Sequence, residues 1–465
     1  MTRLLVTAAH KSSGKTSVAI GLCAALARRG RVVQPFKKGP DYIDPIWLGR
    51  AAGRPCYNLD FQVQTRDEIT VGFGRRAGDA DVAVVEGNKG LYDGLDVEGS
   101  NSNAALAHLL DLPVVLVLDT RGTIRGVAPL LLGYRQFDPA LRFAGVILNL
   151  VGGARHEAKL RAVIERYTDM TVLGALPRDE AVAIGERHLG LVPANESDAA
   201  DARIAALASA VERGVDLGAL LERCATPAPI AAPPAAERPG SASRVRIGIA
   251  RDRAFAFYYP DDLEMLAGAG ADLVPIDTLR DTALPELDGL FLGGGFPETS
   301  LDALAANVSL RAAIRSAIEG GLPTYAECGG LMYLARRLHW HDTSGEMVGV
   351  IPADVHMEMR PVGRGYVRLR ETDGHPWPSS PGVGFHAHEF HYSRLVGLPE
   401  GLTYAYQVER GHGIDGGRDG LVLHNLLASY AHLRDTAGHR WARAFVDFVR
   451  RHATAHATAH RGETV

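Results

Sequence analysis

The chain has few cysteines, no basic surplus and no long apolar run. Its four cysteines, Cys23, Cys56, Cys224 and Cys328, include no close pair, so neither a zinc knuckle nor a disulfide framework is indicated. The net charge of -4 argues against a nucleic-acid-binding protein, because such proteins usually carry a basic surplus. No uninterrupted apolar stretch of about 18 residues occurs, so we expect no membrane span. The opening segment Met1–Thr7 is typical of a first β-strand and not of a signal peptide. These features together predict a protein of the reducing cytoplasm.

Composition divides the 465 residues into distinct parts. With 46% hydrophobic and 22% charged residues, the chain can build large cores, and its length predicts two or three domains. Over residues 1–224 short apolar runs alternate with helical patterns, which predicts a doubly wound α/β domain. Residues 225–243 are dense in proline and alanine and predict a semi-rigid linker. A second α/β domain is expected over 244–450, and the low-complexity tail 451–465 is expected to be disordered.

The first strand runs into a segment typical of a phosphate-binding loop. Ala9 stands where the usual pattern has its first glycine, but Gly14 still allows close approach of the backbone to a ligand. Lys15 is expected to reach the terminal phosphates, and Thr16 to ligate magnesium. The following helix adds backbone N–H groups and the positive end of its dipole. We therefore predict that ATP binds to Ser12, Ser13, Gly14, Lys15 and Thr16.

Two further polar segments follow predicted strands. They are Lys37–Pro45 and Glu86–Gly94. In an open parallel sheet the carboxyl ends of the strands form the ligand crevice, so we expect both segments beside the phosphate loop. Asp41 and Glu86, together with Thr16, are the predicted ligands of a Mg²⁺ ion that accompanies ATP, since magnesium prefers oxygen donors. Lys37 is expected to neutralise charge that develops during phosphoryl transfer.

The second domain contains a candidate nucleophile. An apolar run ends at Glu327-Cys328-Gly329, and a helical pattern begins at once, which places the cysteine on a sharp strand-to-helix turn. A helix N-terminus lowers the pKa of a thiol there. The glycines Gly293–Gly295 follow another strand, and their backbone N–H groups are suited to an oxyanion hole. A thiol and a nucleotide site in one chain indicate coupled chemistry: one site releases a reactive small molecule, and the other spends ATP to use it.

The nucleophile needs a base, because a free thiol near pH 7 is only partly ionised. Spacing alone does not choose among the candidates, which are His386, His388, His391, His424 and His432. The alternation of His and Glu over 385–392 also suggests a metal cluster. In a strand, however, alternate side chains point to opposite faces, which disfavours this metal site.

These segments resemble the cobyrinic acid a,c-diamide synthase family over almost the whole chain. The motifs that carry the resemblance are Pro35–Pro45, Asn58–Asp60, Glu86–Gly94, Glu186–Leu191, Ala250–Phe255, Gly293–Glu298, Ala326–Gly330, His388–Ser393 and Ala428–Leu433. The resemblance implies a P-loop NTPase-like domain of the dethiobiotin-synthetase type joined to a class I type glutamine amidotransferase domain.

The resemblance also implies roles for individual residues. Cys328 would attack the side-chain amide of glutamine, with His432 as its base. ATP would phosphorylate two carboxylates of a tetrapyrrole, each of which is then amidated. The expected ligands are this tetrapyrrole, ATP with Mg²⁺ and L-glutamine, and a homodimer is a further expectation. The resemblance also assigns Tyr42, Glu86 and Asp93 to the tetrapyrrole and phosphate site. Gly294, Gly295 and Gly329 are the glycines whose backbone is expected to bind the oxyanion or glutamine.

The chain departs from the family pattern at a few positions. Arg434 stands where many class I amidotransferases have an acid two residues after the histidine, which predicts a Cys-His dyad whose orienting group comes from elsewhere. Asn88 and Lys89 replace apolar residues usual in corrinoid members, and Lys38 replaces a small apolar one. Cobyrinate is the default substrate, and the same amidation of sirohaem or sirohydrochlorin is the alternative. The alternative from a different class of function is a non-catalytic nucleotide switch. A cobyric acid synthase shares both domain types but fits the motifs less well.

Overall fold

A computed structural model describes residues 1–179, 186–187, 190–226 and 244–462. The chain divides into two compact units, 1–235 and 236–465. The predicted linker 225–243 lies outside the described residues from position 227 onward. Throughout the part of the chain that is described, no helix has both the length and the apolar character needed to cross a bilayer.

The first unit alternates strands and helices as the sequence predicts. Its elements are β1 (Thr2–Ala8), α1 (Lys15–Arg28), β2 (Val33–Lys38), α2 (Ile43–Ala52), β3 (Tyr57–Leu59), α3 (Arg66–Ala77), β4 (Val82–Glu86), α4 (Asn103–Leu110), β5 (Val114–Asp119), α5 (Val127–Phe137), β6 (Phe143–Val151), α6 (Ala154–Tyr167), β7 (Val172–Pro177), β8 (Glu186–Arg187), β9 (Gly190–Leu191), α7 (Ala200–Gly214) and α8 (Leu217–Arg223). Seven strands form a parallel sheet in the order β3-β2-β4-β1-β5-β6-β7.

The strands of this sheet are apolar on both faces because helices cover both. In β1, Leu4 and Val6 pack into one core cluster and Leu5 into the other, as the alternation of side chains along a strand requires. Neighbouring β4 and β5 lie on either side of β1. The carboxyl ends of β1, β2 and β4 therefore meet at one edge, where the phosphate loop begins.

The second unit is also α/β, but its large sheet is mixed. Its elements are β10 (Val245–Ala250), β11 (Phe255–Phe257), α9 (Pro260–Gly268), β12 (Ala271–Ile276), β13 (Gly289–Leu292), β14 (Gly294–Gly295), α10 (Leu301–Ala306), α11 (Val308–Glu319), β15 (Thr324–Glu327), α12 (Gly329–Leu334), β16 (Ala335–Trp340), β17 (Thr343–Glu346), β18 (Ile351–Met357), β19 (Gly363–Glu371), β20 (Gly384–His391), β21 (Ser393–Val396), β22 (Thr403–Arg410), β23 (Arg418–Leu423), β24 (Leu426–Ser429) and α13 (Trp441–Gly462). The nine-stranded sheet has the order β12-β10-β13-β15-β24-β23-β22-β19-β20. It is parallel from β12 to β24 and antiparallel beyond.

The closing helix is longer than the sequence predicts. Helix α13 continues to Gly462, through most of the tail 451–465 that was expected to be disordered. Its first turns are anchored by Trp441, Phe445 and Val449, which are buried in the core. Once a helix is anchored, each further residue adds a backbone hydrogen bond, and alanine, frequent in this tail, is the strongest helix former.

Candidate active sites

Cys328 occupies a strained turn between β15 and α12. Its φ is 46° and its ψ is -101°, a backbone conformation that residues other than glycine rarely adopt and that is typical of functional sites. The backbone N–H of Cys328 donates to the carbonyl oxygen of Ser429 at 2.7 Å, which ties the turn to β24. Cys328 is buried and lies at the N-terminus of α12. The predicted nucleophile turn is therefore present.

His432 is the candidate base that meets this thiol. Burial opposes charge on its ring, but hydrogen bonds to Cys328 and Glu327 raise the pKa of His432 to about 10. Nδ1 of His432 lies 3.3 Å from Oε2 of Glu327. A cysteine beside a protonated imidazole is the arrangement that favours the reactive thiolate.

The sequence predicts that the group orienting the histidine comes from elsewhere than position 434, and the structure offers a candidate. The acid that faces His432 is Glu327, the residue directly before the nucleophile. Its Oε1 accepts hydrogen bonds from the hydroxyl of Tyr325 at 2.6 Å and from the backbone N–H of Leu433 at 2.8 Å. These two donors hold the carboxylate against the imidazole. The available sequence signal was an acid at the end of a strand that is buried throughout, where an unpaired charge is costly.

Arg434, found where the sequence suggests a missing acid, has a different place. Its Nη2 lies 2.5 Å from Oδ2 of Asp261, and its guanidinium covers the ring of Tyr259 at 4.4 Å. The backbone N–H of Asp435 donates to Asp262 at 2.9 Å. These contacts fasten the segment that follows His432 to the first turn of α9.

Three predicted glycines surround the Cys328–His432 pair. Gly294 and Gly295 form β14, which pairs with β11 instead of remaining a free turn. A Cβ atom on Gly294 would lie 2.6 Å from Cε1 of His432, and one on Gly329 would lie 2.9 Å from the backbone nitrogen of Gly295. No side chain fits at these positions. The backbones of all three glycines consequently lie close to the thiol–imidazole pair.

The other candidate histidines lie in different surroundings. His386 and His424 are exposed, whereas His391 is buried and stacks on the ring of Tyr430 at 3.8 Å. His388 pairs with His432 through backbone hydrogen bonds. Among the residues that the structure describes, no group of three or more His, Cys, Asp or Glu is arranged to hold a metal ion.

In the first unit the phosphate loop has the expected turn. Gly14 precedes α1 with a φ of 85°, and a Cβ atom there would lie 2.1 Å from Nδ2 of Asn149. That Asn149 amide donates to the carbonyl oxygen of Ser13 at 2.9 Å, and the Ser13 hydroxyl donates to the carbonyl oxygen of His10 at 2.8 Å. Ser12 is exposed on the same loop. Sequence reasoning missed Asn149, which lies on β6, far along the chain from the loop it supports.

Three acidic side chains surround a buried lysine beside this loop. Nζ of Lys37 lies 2.6 Å from Asp44, 3.0 Å from Glu86 and 4.0 Å from Asp41. Burial opposes its charge, but the carboxylates of Asp44 and Glu86 raise the pKa of Lys37 overall. The hydroxyl of Thr16 donates to Oε1 of Glu86 at 2.5 Å and to Oδ2 of Asp44 at 3.4 Å. Asp44 is therefore a member of the site that the sequence did not single out.

Asp41, one of the predicted magnesium ligands, also takes part in a backbone turn. Oδ1 of Asp41 accepts the backbone N–H groups of Ile43 at 2.9 Å and Asp44 at 3.0 Å, so this carboxylate closes the turn before α2. Burial and the charge of Asp44 raise the pKa of Asp41 to about 7. By contrast, Oε2 of Glu86 is buried without a hydrogen-bond partner. Glu86, Asp44 and Thr16 supply the oxygen donors that fit a magnesium ion accompanying ATP.

The remaining predicted residues lie on the loops around this site. Tyr42 is half-buried at the start of α2, between Asp41 and Asp44. Asp93 is exposed and accepts the backbone N–H of Gly90 at 3.0 Å. Burial and the charge of Lys37 lower the pKa of Lys15, and the charge of Asp93 is among those that oppose this shift.

The family departures Lys38 and Asn88 contact each other. Lys38 is only 5% exposed, and its Nζ donates to Oδ1 of Asn88 at 2.9 Å. Burial lowers the pKa of Lys38 to about 8. The backbone of Asn88 is held by the fully buried Asn103, which accepts the Asn88 N–H at 3.2 Å. The two residues therefore form one partly buried polar pair, with Lys38 at the end of β2 and Asn88 just after β4.

Comparisons with known proteins cover both units. Residues 4–192 match the model of the CobQ/CobB/MinD/ParA nucleotide binding domain, and residues 246–437 match that of the CobB/CobQ-like glutamine amidotransferase domain. A solved glutamine amidotransferase aligns with 44% of this chain and 98% of its own, at 20% identity and a TM-score of 0.33.

Three curated relatives match over nearly their whole length. Cobyrinate a,c-diamide synthase of Magnetococcus marinus is 46% identical and covers 96% of this chain and 97% of its own. The proteins of the same name from Methanosarcina barkeri and Archaeoglobus fulgidus are 39% and 40% identical, each over 96% of both chains. By this identity over almost its entire length, and with both domain types in the same order, the chain belongs to the cobyrinate a,c-diamide synthase family.

Proposed function

We propose that this chain is an ATP- and glutamine-dependent amidotransferase that converts the a- and c-carboxylates of cobyrinate into amides. The observation that carries the proposal is the buried contact of Cys328, His432 and Glu327 in a chain that also has a phosphate loop. Support comes from relatives that bear the name cobyrinate a,c-diamide synthase and match both units.

In the glutaminase half, the thiolate of Cys328 attacks the side-chain amide carbon of glutamine and forms a C–S bond. Backbone N–H groups around Gly294, Gly295 and Gly329 stabilise the resulting oxyanion. The imidazolium of His432 donates a proton to the leaving nitrogen as the C–N bond breaks, which releases ammonia. Water then hydrolyses the thioester to glutamate, and Glu327 keeps the imidazole oriented throughout.

In the ATP half, a substrate carboxylate attacks the terminal phosphate of ATP, which forms an acyl phosphate and releases ADP as the bond to the β-phosphate breaks. A carboxylate is a poor electrophile at neutral pH, so this activation precedes attack by ammonia, which yields the amide and phosphate. Lys15 and Lys37 offset the charge that develops on the transferred phosphoryl group. Thr16, Glu86 and Asp44 would hold Mg²⁺, which when bound polarises the phosphate oxygens. Tyr42 and Asp93 are the residues we place beside the tetrapyrrole.

The direct test is incubation of the full-length protein with ATP, Mg²⁺, glutamine and cobyrinate, followed by mass spectrometry. Each amidation replaces an OH group by an NH₂ group, so the mass spectrum reports the number of steps. Two successive amidations of cobyrinate are the expected result. No change of cobyrinate in a protein that hydrolyses glutamine would contradict the assignment of substrate.

A parallel incubation with sirohaem and with sirohydrochlorin tests the alternative macrocycles. The partly buried Lys38–Asn88 pair supports this alternative, because it places polar groups after β2 and β4 where apolar residues are usual in corrinoid family members. Amidation of sirohaem in preference to cobyrinate would reassign the acceptor without changing the chemistry. Absence of any glutaminase activity would instead favour a nucleotide switch.

A further inference from the structure

His388 is a second histidine beside the thiol–imidazole pair, and the mechanism above does not use it. It lies on β20, and its backbone exchanges two hydrogen bonds with that of His432, with N···O distances of 3.3 and 2.7 Å. Residues paired in this way have Cα atoms about 5.5 Å apart and side chains on the same face. The imidazole of His388 is therefore the direct cross-strand neighbour of the imidazole of His432.

The ring of His388 has a nitrogen without a hydrogen-bond partner. Nδ1 of His388 is buried and has no hydrogen-bond partner. On the side away from His432, His388 pairs with Tyr366 of the neighbouring strand β19. The two rings meet edge-on, with 6.0 Å between their centroids. A buried polar atom without a partner costs free energy, so such an atom next to a catalytic group points to a ligand.

The ring is also kept neutral. Burial and the positive charge of His432 lower the pKa of His388 to about 3. A neutral imidazole with its proton on Nε2 presents a lone pair on Nδ1 and cannot protonate a neighbouring amine. It differs in this from His432, whose pKa is raised and which carries the proton that the leaving group needs.

We propose that Nδ1 of His388 accepts a hydrogen bond from the ammonia that leaves glutamine. This inference rests on the proposed glutaminase activity. His432 donates its proton to the nitrogen as the C–N bond breaks, so the product is neutral NH₃, which has three N–H donors and needs acceptors in a dry site. His388 takes one of these hydrogen bonds without transferring a proton. The ammonia is thereby held beside the site as the nucleophilic free base.

The test compares three full-length variants. His388→Leu removes the acceptor, His388→Asn keeps a polar atom near the position of Nδ1, and His386→Leu is the matched control on the same strand and face, where the side chain is exposed. The first measurement is the ratio of glutamine hydrolysed to amide formed. We expect this ratio to rise several-fold in His388→Leu, to return towards the wild-type value in His388→Asn and to stay unchanged in His386→Leu. Amidation supported by added ammonium should stay unchanged in all three.

A second measurement does not depend on the tetrapyrrole. Without the tetrapyrrole substrate, added ¹⁵N-ammonia attacks the thioester on Cys328. This reverses the cleavage step, so ¹⁵N enters the side-chain amide of glutamine. We expect the rate of ¹⁵N incorporation, relative to glutamine hydrolysis, to fall several-fold in His388→Leu and to recover in His388→Asn. Equal ratios in wild type and His388→Leu would overturn the role of His388, even if cobyrinate proved to be the wrong acceptor. A uniform loss of both reactions, without recovery in His388→Asn, would also overturn it by indicating a structural role.

Discussion

Oε2 of Glu327 lies 3.3 Å from Nδ1 of His432, so the acid that faces the candidate base directly precedes the candidate nucleophile in the sequence. The chain thereby places an acid and the thiol on one strand-to-helix turn and brings the histidine to them from another segment. Because Oε1 of Glu327 is already held by Tyr325 and Leu433, the second oxygen has a defined position against the imidazole.

Substitution Glu327→Gln should impair glutamine hydrolysis. The neutral amide no longer stabilises the imidazolium of His432, and we expect kcat for glutaminase to fall about 100-fold. Steady-state assays of glutamate release measure this, while ammonia-supported amidation should be unaffected. Glu319→Gln, at an exposed position on α11, is the matched control. A variant with wild-type kcat would show that Glu327 serves the fold alone.

The two halves should be separable by single substitutions. Cys328→Ala removes the nucleophile, so glutamine-dependent amidation should disappear while amidation with added ammonium continues. Lys15→Ala should abolish ATP-dependent amidation with either nitrogen source but leave the cysteine chemistry intact. Product analysis by mass spectrometry distinguishes the outcomes. If a folded Cys328→Ala protein lost amidation with glutamine and with added ammonium alike, a separate site that uses ammonia would be refuted.

Asp44 should matter more than Asp41 for the use of magnesium. Asp44 lies beside Thr16 and Lys37, whereas Asp41 closes a backbone turn. We expect Asp44→Asn to raise the Mg²⁺ concentration needed for half-maximal ADP release about 10-fold or more. Asp41→Asn should have a smaller effect on this concentration. A larger effect of Asp41→Asn than of Asp44→Asn on the Mg²⁺ requirement would instead identify Asp41 as the magnesium ligand.

Lys38 and Asn88 should act as a unit on the tetrapyrrole. We expect Lys38→Met and Asn88→Val each to raise KM for the macrocycle without altering glutaminase activity. In a double-mutant cycle the coupling free energy should be about 1 kcal/mol, because the residues contact each other. The pKa of Lys38 is about 8, so its charge is present below that pH and lost above it. In the wild type, KM for the macrocycle should accordingly increase when the pH is raised past about 8. The Lys38→Met variant should not show this increase.

A buried carboxylate far along the chain from both sites should make stability depend on acid. Burial opposes the charge of Glu371, but hydrogen bonds from His439 and from the N–H groups of Ser379 and Ser380 lower its pKa to about 2. The ordinary value is 4.5, so this stabilisation is complete above about pH 4.5 and is lost as the pH falls towards 2. Glu371→Gln should therefore lower the free energy of unfolding by about 2 kcal/mol at pH 7.

Denaturant unfolding at several pH values checks this dependence. The difference between wild type and Glu371→Gln should narrow as the pH falls below about 4.5. The exposed Glu346 provides a control, since Glu346→Gln should change little at any pH. A difference independent of pH would mean that packing, and not charge, accounts for the effect.

The sequence determined the two α/β domains and the nucleophile turn because these depend on local patterns. Apolar strands followed by glycines and helices are visible along the chain, and Gly14 and Cys328 stand at the ends of such strands. The sequence also determined the family, because its motifs are short and contiguous.

Only the tertiary structure decided how separate segments complete each site. Glu327 becomes the partner of His432 because parallel pairing of β15 with β24 brings positions far apart in sequence to one edge. Asn149 supports the phosphate loop from a strand two places away in the sheet. Asp44 lies beside Lys37, and its backbone N–H donates to Oδ1 of Asp41. Such contacts depend on sheet order and burial, which spacing in the sequence does not encode.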